Sequence, residues 1–368
     1  MENIDERIRL ITSPPIEEVI TIEELRELLS EKKHPHAYDG FEPSGLLHLA
    51  SGLMRALKIK DLLDAGCEFT LLLADYHAVL NNKMGGDLAA IRRAGEYFIE
   101  GWKACGLDTS RVKVRWASDL ISDPKYWETV IKVASNVTVA RMTRCTTIMG
   151  REESELRHVS QLLYPAMQVA DIFYLDVDIC QLGLDQRRAN MLARELAPTL
   201  FPGRRKPVCV HHHMLSGLKG PSAMGSEFDE DEAISAQISG KMSKSKPQTS
   251  VFIHDSPSVI KEKISQAFCP EKSVEGNAVL ELAKYIVFKT TNDFTIERPE
   301  KYGGNASFQN YEELESAFVS GKLHPQDLKN AVSGHLVEVL EPVRAHFEKD
   351  SRAAELLEFM TQHAKITR

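Results

Sequence analysis

Ala37-Tyr-Asp-Gly-Phe-Glu-Pro-Ser-Gly45-Leu-Leu-His48, followed after a helical stretch by Phe69-Thr-Leu-Leu-Leu-Ala74, is the part of the chain that decides the fold. Ala37–Phe41 reads as a short strand, and the Pro and Gly of Glu42-Pro-Ser-Gly45 forbid a regular element from continuing through them. Leu49, Leu53 and Leu57 then mark one face of a helix. Phe69–Ala74 is a continuous apolar run of strand length, the pattern of a strand covered on both faces. Helical periodicity over about 87–105 and the strand-like Val112-Lys-Val-Arg-Trp116 extend the series. Strand, helix, strand, helix, strand predicts an α/β fold with a parallel sheet, helices on both sides.

On the N-terminal side, residues 5–33 read as surface helices, the second opening with a capping box at Thr21-Ile-Glu-Glu24. Downstream, a mainly helical insertion at about 117–160 precedes a helix over 160–175, a strand near Val177–Cys180, a helix from Asp185 to Leu196 and a strand over Pro207–Val210. After residue 255 the strand signal vanishes, and helices are expected over 256–268, 277–288, 310–321, 325–340 and 342–359. The expected organisation is an N-terminal helical segment (1–34), a Rossmann-like nucleotide-binding domain (35–254) and a smaller all-α C-terminal domain (255–368). A Gly/Ser/Lys-rich loop at 239–250 joins the last two.

The composition narrows the function classes. The 368 residues carry 53 Asp+Glu against 45 Lys+Arg, a net charge of −8, which argues against non-specific coating of nucleic acid. Hydrophobic residues at 43% and charged residues at 27% fit a globular chain rather than a disordered one. No apolar run approaches the roughly 20 residues that span a bilayer. The N-terminus lacks both a signal-peptide core and the acid-poor look of a presequence. Six scattered cysteines show neither Cys-x-x-Cys nor metal-ligand spacing. A cytoplasmic enzyme with reduced thiols is expected.

Two segments suit phosphate chemistry. In Gly45-Leu-Leu-His48-Leu-Ala-Ser51 a strand–turn delivers a Gly and a His to the expected start of a helix, where unpaired N–H groups and a positive dipole end favour anions. Gly45 lets the backbone approach a nucleotide, and His48 can donate to a phosphate oxygen. In Gly240-Lys-Met-Ser-Lys-Ser245, Lys241 and Lys244 can both reach one triphosphate. Either segment alone has a bland reading, a capping histidine or a solvated basic linker. A third constellation is Tyr164-Pro-Ala-Met-Gln168-Val-Ala-Asp171, whose polar residues stand at i, i+4 and i+7 and form one stripe on an otherwise apolar helix. Such a stripe faces solvent or lines a pocket for a small polar ligand. Three consecutive histidines, His211–His213, invite a metal reading. Consecutive strand residues point to alternate faces and cannot all converge on one ion, so no metal is assigned.

The first two segments, in one chain and a full nucleotide-binding fold apart, resemble the HIGH and KMSKS motifs of class I aminoacyl-tRNA synthetases. Most of the chain, roughly 35–345, resembles the tyrosyl-tRNA synthetases of archaeal and eukaryotic type. The matching segments are Tyr38–Gly45, Leu72-Leu-Ala-Asp-Tyr-His-Ala78, Tyr164–Asp171, Asp178–Gln186, Met191-Leu-Ala-Arg-Glu195, the KMSKS loop, Tyr302-Gly-Gly304 and His324–Asn330. The resemblance implies activation of tyrosine with ATP, accompanied by Mg2+, and transfer to the 3′ end of tRNA(Tyr) by a homodimer. It also implies residue roles. Tyr38 and Asp171 bond the substrate phenol; Tyr164, Gln168 and Gln186 bind its ammonium group. Gly40, Glu42, Gly45, His48, Ser51, Met214, Lys241, Met242, Ser243 and Lys244 surround ATP, with His48, Lys241 and Lys244 catalytic. Tyr302, His324 and Asp327 meet the tRNA.

Two departures from the family pattern stand out. The first motif continues as His48-Leu-Ala50-Ser51, without a second histidine. The stretch from Gly217 to Ile238, with Glu227, Asp229, Glu230, Asp231 and Glu232, is expected to be a solvated, mobile insertion. Two rivals share the motifs: a tryptophanyl-tRNA synthetase, in which Asp171 accepts an indole N–H, and a catalytically weak RNA-binding paralogue.

Overall fold

The computed structural model describes residues 3–151, 153–220, 228–244 and 246–363, and the structural statements below concern these. Six strands form one sheet: β1 (Ile16–Ile20), β2 (His36–Phe41), β3 (Glu68–Leu73), β4 (Val112–Trp116), β5 (Ile179–Gly183) and β6 (Val208–His212). Their order is β1-β6-β5-β2-β3-β4, parallel throughout except for β1, which runs antiparallel to β6. β5 and β6 are buried along their whole length and β3 from Phe69 onward, as helix-covered strands must be. The chain lays β3 and β4 on one side of β2, then crosses back to lay β5 and β6 on the other. Strand order therefore reverses between β2 and β5, and a crevice opens beyond their carboxyl ends.

The N-terminal 34 residues are not wholly helical. Helices Ile4–Thr12 and Ile22–Glu31 flank β1, whose Val19 and Ile20 pair with Val210 and Cys209. β1 is a half-buried edge strand of five residues, so it carries neither an apolar run nor a clean alternation that would reveal it. Pro14-Pro15 ends the first helix, because neither residue can donate a helical N–H. The predicted capping box at Thr21 and Glu24 is present.

The helix after the Pro/Gly turn also departs from expectation: it begins at Leu53, capped by Gly52, rather than at His48. His48 lies in the segment before it and forms an isolated antiparallel bridge with Phe252, while the Leu49 N–H donates to Val251 O at 2.9 Å. The chain following the KMSKS loop is thus fastened onto the first motif.

The insertion is helical as expected (Ala117–Ile121, Pro124–Ser135, Val139–Cys145), and Pro124–Ser135 packs along the helix Ser160–Tyr174. The acidic segment is not a solvated loop where it is described. Asp231 caps a helix, Glu232–Gly240, and Asp229 is buried within 3.9 Å of Arg187 and Arg188. Glu227 and Ser245 lie outside the described residues.

From Pro257 onward helices dominate, but the region is not all-α: β7 (Phe294–Ile296) and β8 (Ala306–Phe308) make a small antiparallel sheet. Three-residue strands are too short to show a period. The helix expected over 342–359 is two, Glu341–Lys349 and Ser351–His363, broken at Asp350, whose carboxylate accepts the Arg352 and Ala353 N–H groups. This pair docks on the helix Leu88–Ala104 through Tyr97–Phe347 ring contact at 5.7 Å and ion pairs His346–Glu100 and Arg93–Glu355.

Candidate active site

A cavity of about 640 Å3 occupies the crevice, walled by the carboxyl ends of β2, β3, β5 and β6, the helix Ser160–Tyr174 and the KMSKS loop. Its most buried end is built on rigid elements. Tyr38 projects from β2, is 1% exposed, and its hydroxyl has no hydrogen-bond partner. Burial, with Cys180 and Asp171 nearby, raises that phenol well above its ordinary pKa, so it stays protonated. Asp171, equally buried, accepts the Tyr126 hydroxyl at 2.7 Å, and its other oxygen lies 3.1 Å from His77 Nε2. The stripe predicted from i, i+4, i+7 spacing does face the cavity: Tyr164, Gln168 and Asp171 all line it. Gln168 Nε2 is buried without a partner, the Tyr164 hydroxyl meets the Glu42 carboxylate, and Gln186 Nε2 donates to Ile148 O at 3.1 Å.

The Tyr38 hydroxyl, Gln168 Nε2 and both His77 ring nitrogens are buried without a hydrogen bond at this end, and unmet buried donors are costly, about 1–3 kcal/mol each, unless something fills the cavity. Gly40 fits the same picture. A Cβ there would meet only the Tyr38 ring, at 3.9 Å, and would take up cavity space.

The other end is built on turns and the loop. His48 Nδ1 accepts the Ser51 N–H at 3.4 Å, and the Ser51 hydroxyl accepts the His48 N–H at 3.2 Å. Burial, then the Lys244 and Lys241 charges, push His48 down to about 3, so its ring is neutral. With Nδ1 accepting, the proton sits on Nε2, which is left to donate. Ser51 is thus occupied in shaping the turn. Lys241 pairs with Asp185 at 2.5 Å, and Lys244 donates to Ser44 O at 2.6 Å with its ammonium 4.3 Å from the Phe98 ring centroid. Burial and Lys83, against Glu42, bring Lys244 down to about 7. Met242 is buried, the Ser243 N–H donates to Ser250 Oγ, and the Met214 N–H donates to Gln237 Oε1 at 2.9 Å. A Cβ at Gly183 would fall 2.5 Å from Asp185 Oδ1 and 2.8 Å from Met214 Sδ, so those two side chains would have to shift.

Of the residues expected around ATP and tyrosine, only Gly45 does not line the cavity. Its φ of +58° explains the glycine as a turn requirement instead. The three histidines turn to separate partners: His211 to Glu18, His212 to Gln181 and Arg55, and His213 to Glu17 and Glu281. His324 and Asp327 lie away from the cavity at the start of the helix Pro325–Val339, where His324 Nδ1 accepts the Gln326 N–H. The Tyr302 side chain is outside the described residues.

Sequence reasoning missed His77, Tyr126 and Asp185. His77 and Asp185 sit inside quoted segments, directly after a buried strand, which is where cavity-facing residues of a parallel sheet gather. Tyr126 gave no signal, since an aromatic on an amphipathic helix reads as core.

Known proteins resemble this chain over most of its length. The family model for class I tRNA synthetases of the tryptophan and tyrosine type matches residues 30–236 and 234–341. A tyrosine–tRNA ligase of Thermococcus kodakarensis is 46% identical over the full length of both chains. Tyrosine–tRNA ligase 1, cytoplasmic, of Arabidopsis thaliana is 43% identical, covering 100% of this chain and 91% of its own. The crystal structure of the Pyrococcus horikoshii tyrosyl-tRNA synthetase complexed with L-tyrosine superposes with a TM-score of 0.89 at 42% identity, covering 98% of this chain and 100% of that one. A matching model, full-length relatives and a site arranged in this way place the chain among the class I aminoacyl-tRNA synthetases, in the tyrosine–tRNA ligase family.

Proposed function

We propose that the chain activates L-tyrosine with ATP and passes it to tRNA(Tyr), with the residues of the cavity divided between two tasks. The observation that carries this reading is the buried, partnerless Tyr38 hydroxyl beside the Asp171 carboxylate, an acceptor–donor pair suited to a phenol. Tyr164, Gln168 and Gln186 receive the α-ammonium group. The tyrosine carboxylate, ionised at neutral pH, attacks the α-phosphorus of ATP as the bond to the bridging oxygen breaks and pyrophosphate leaves. The terminal ribose hydroxyl of tRNA then attacks the acyl carbon, and AMP departs.

No general base is needed in the first step, so alignment and charge stabilisation supply the rate. His48 Nε2–H donates to an α-phosphate oxygen. Lys241 and Lys244 exchange Asp185 and Ser44 O for the β- and γ-phosphates, and Gly40, Glu42, Ser51, Met214, Met242 and Ser243 wall the nucleotide. Among the described residues no group of three or more His, Cys, Asp or Glu could hold a metal. A Mg2+ accompanying ATP would supply countercharge to the phosphates and, by its coordination preference, would be held chiefly by phosphate and water oxygens.

The C-terminal domain from residue 255 presents Tyr302, His324 and Asp327 to the tRNA. A homodimer is supported by large apolar side chains that are each exposed on the insertion or at the start of the helix after it: Trp127, Ile131, Val139, Val159 and Leu163. No described helix is long and apolar enough to cross a membrane, and a cytoplasmic location fits this and the Arabidopsis relative's name. The test is ATP–pyrophosphate exchange on the purified chain. Exchange that depends on tyrosine, and not on tryptophan or phenylalanine, supports the reading; tryptophan dependence, or none, overturns it.

A further inference from the structure

Asp171 is gripped from behind. The Tyr126 hydroxyl, on the insertion helix Pro124–Ser135, donates to Oδ1 at 2.7 Å and is fully buried. Among the described residues the only other hydrogen-bond acceptor for this hydroxyl is Met167 O, at the longer distance of 3.3 Å, so its single proton goes to the carboxylate. His77, from the short helix Asp75–Leu80 after β3, brings Nε2 to 3.1 Å from Oδ2 and is held edge-on to the Tyr164 ring at 4.9 Å. His77 lines the cavity, whereas Tyr126 stands outside it.

We infer that Tyr126 and His77 are positioning residues that set selectivity for a para-hydroxyl substrate, Tyr126 by its hydrogen bond to Asp171 Oδ1 and His77 by its ion-pair contact with Oδ2, which together aim the remaining lone pairs at the cavity. A carboxylate held at both oxygens is fixed in orientation and offers its remaining lone pairs to the cavity as acceptors. The substrate group opposite must then be a donor, which admits a phenol and leaves both Asp171 and Tyr38 unsatisfied against a bare ring. The cation-favouring surroundings are consistent with this. Burial opposes charge on His77, but Asp171, with Glu42 and Asp75, outweighs it and holds His77 above its ordinary pKa. The inference rests on the proposed reading that Asp171 receives the substrate phenol.

The experiment compares tyrosine- and phenylalanine-dependent ATP–pyrophosphate exchange by the full-length chain and four variants, with KM for ATP recorded throughout. Tyr126→Phe is expected to lower kcat/KM for tyrosine about ten-fold or more and leave that for phenylalanine nearly unchanged, with KM for ATP unmoved. His77→Leu is expected to act in the same direction, and His77→Gln, which keeps an N–H donor, to recover most of the loss. A Tyr126→Phe variant with unaltered tyrosine/phenylalanine ratio, or with both substrates reduced equally, overturns the inference, as does failure of glutamine to outperform leucine at 77. If Tyr126→Phe does not fold, the His77 pair decides alone. Asp171→Ala is the control: if it keeps full preference for tyrosine, the reading of Asp171 itself has failed, a result distinct from an inert Tyr126 beside an essential Asp171.

Discussion

The two ends of the cavity are built in opposite ways. At the tyrosine end, side chains on β2 and the helix Ser160–Tyr174 are locked by packing, and buried polar groups without a hydrogen bond, the Tyr38 hydroxyl, Gln168 Nε2 and the His77 ring nitrogens, belong to residues that line the space a substrate would take. At the nucleotide end the working groups are already engaged: Lys241 with Asp185, Lys244 with Ser44 O, His48 with Ser51. The first end waits with unsatisfied donors and gains whenever they are met; the second must trade internal partners for phosphate. Selectivity therefore belongs to the rigid end and rate to the exchanging one.

That division is most exposed to Lys244→Ala. Losing one preorganised cation at the leaving group is expected to slow adenylate formation by about a hundred- to a thousand-fold. KM for tyrosine should move little, as single-turnover kinetics would show. Equal loss of rate and tyrosine affinity would erase the distinction.

A second contrast concerns pH. The nucleotide-end wall at His213–Met214 is fastened by ions: His213 lies 2.7 Å from Glu17 and 2.9 Å from Glu281 and stacks on Tyr285, whose hydroxyl also donates to Glu17. Burial opposes its charge, but the two carboxylates raise His213 to about 9. Because the folded value lies above the unfolded one of about 6.5, this contribution, up to about 3 kcal/mol, is whole below pH 6.5 and is lost as pH rises through 9. Thermal denaturation from pH 6.5 to 9.5 should show Tm falling, and His213→Gln should flatten that fall. Parallel curves for the two proteins would remove His213 from this role.

At the rigid end, Asp171→Ala should relax discrimination against phenylalanine by about 1–3 kcal/mol, roughly five- to 150-fold, measured as a ratio of kcat/KM values. The smallest expected effect separates the two lysines from each other. Lys241→Ala removes the cation paired with the Asp185 carboxylate and should cost about 1–2 kcal/mol of stability, whereas Lys244→Ala leaves a backbone carbonyl and the face of the Phe98 ring, neither of them charged, and should cost less. Chemical denaturation of both variants measures the difference.

The alternation of Ala37–Phe41, Phe69–Ala74 and Val112–Trp116 with helical stretches made the parallel sheet legible, because buried strands and amphipathic helices write their periods into the chain. The stripe Tyr164, Gln168, Asp171 was legible for the same reason. β1 escaped because a half-buried edge strand has no pattern of its own, and β7 and β8 because three residues have no period. At the nucleotide end the expected residues, His48 and the two lysines, stood out only because two segments that are bland singly occur together in one chain and resemble a known pair of motifs. The site was unreadable where the role arises from tertiary approach: Tyr126 reaches Asp171 across 45 positions of chain, and Asp185 reaches Lys241 across 56. The acidic segment was legible as solvated at Glu230, Asp231 and Glu232, which are exposed, but charge alone could not show that Asp229 is buried against Arg188 or that Asp231 caps a helix.

The central claim, a tyrosine end formed in advance beside a nucleotide end that rearranges, is tested most directly by crystal structures without ligand, with tyrosine, and with tyrosine plus a non-hydrolysable ATP analogue. The account predicts that the phenol oxygen sits within hydrogen-bond distance of Tyr38 and Asp171 with those side chains unmoved, while Lys241 and Lys244 leave Asp185 and Ser44 only when the nucleotide binds. A phenol bound elsewhere, or Tyr38 and Asp171 brought together only by the ligand, would contradict it.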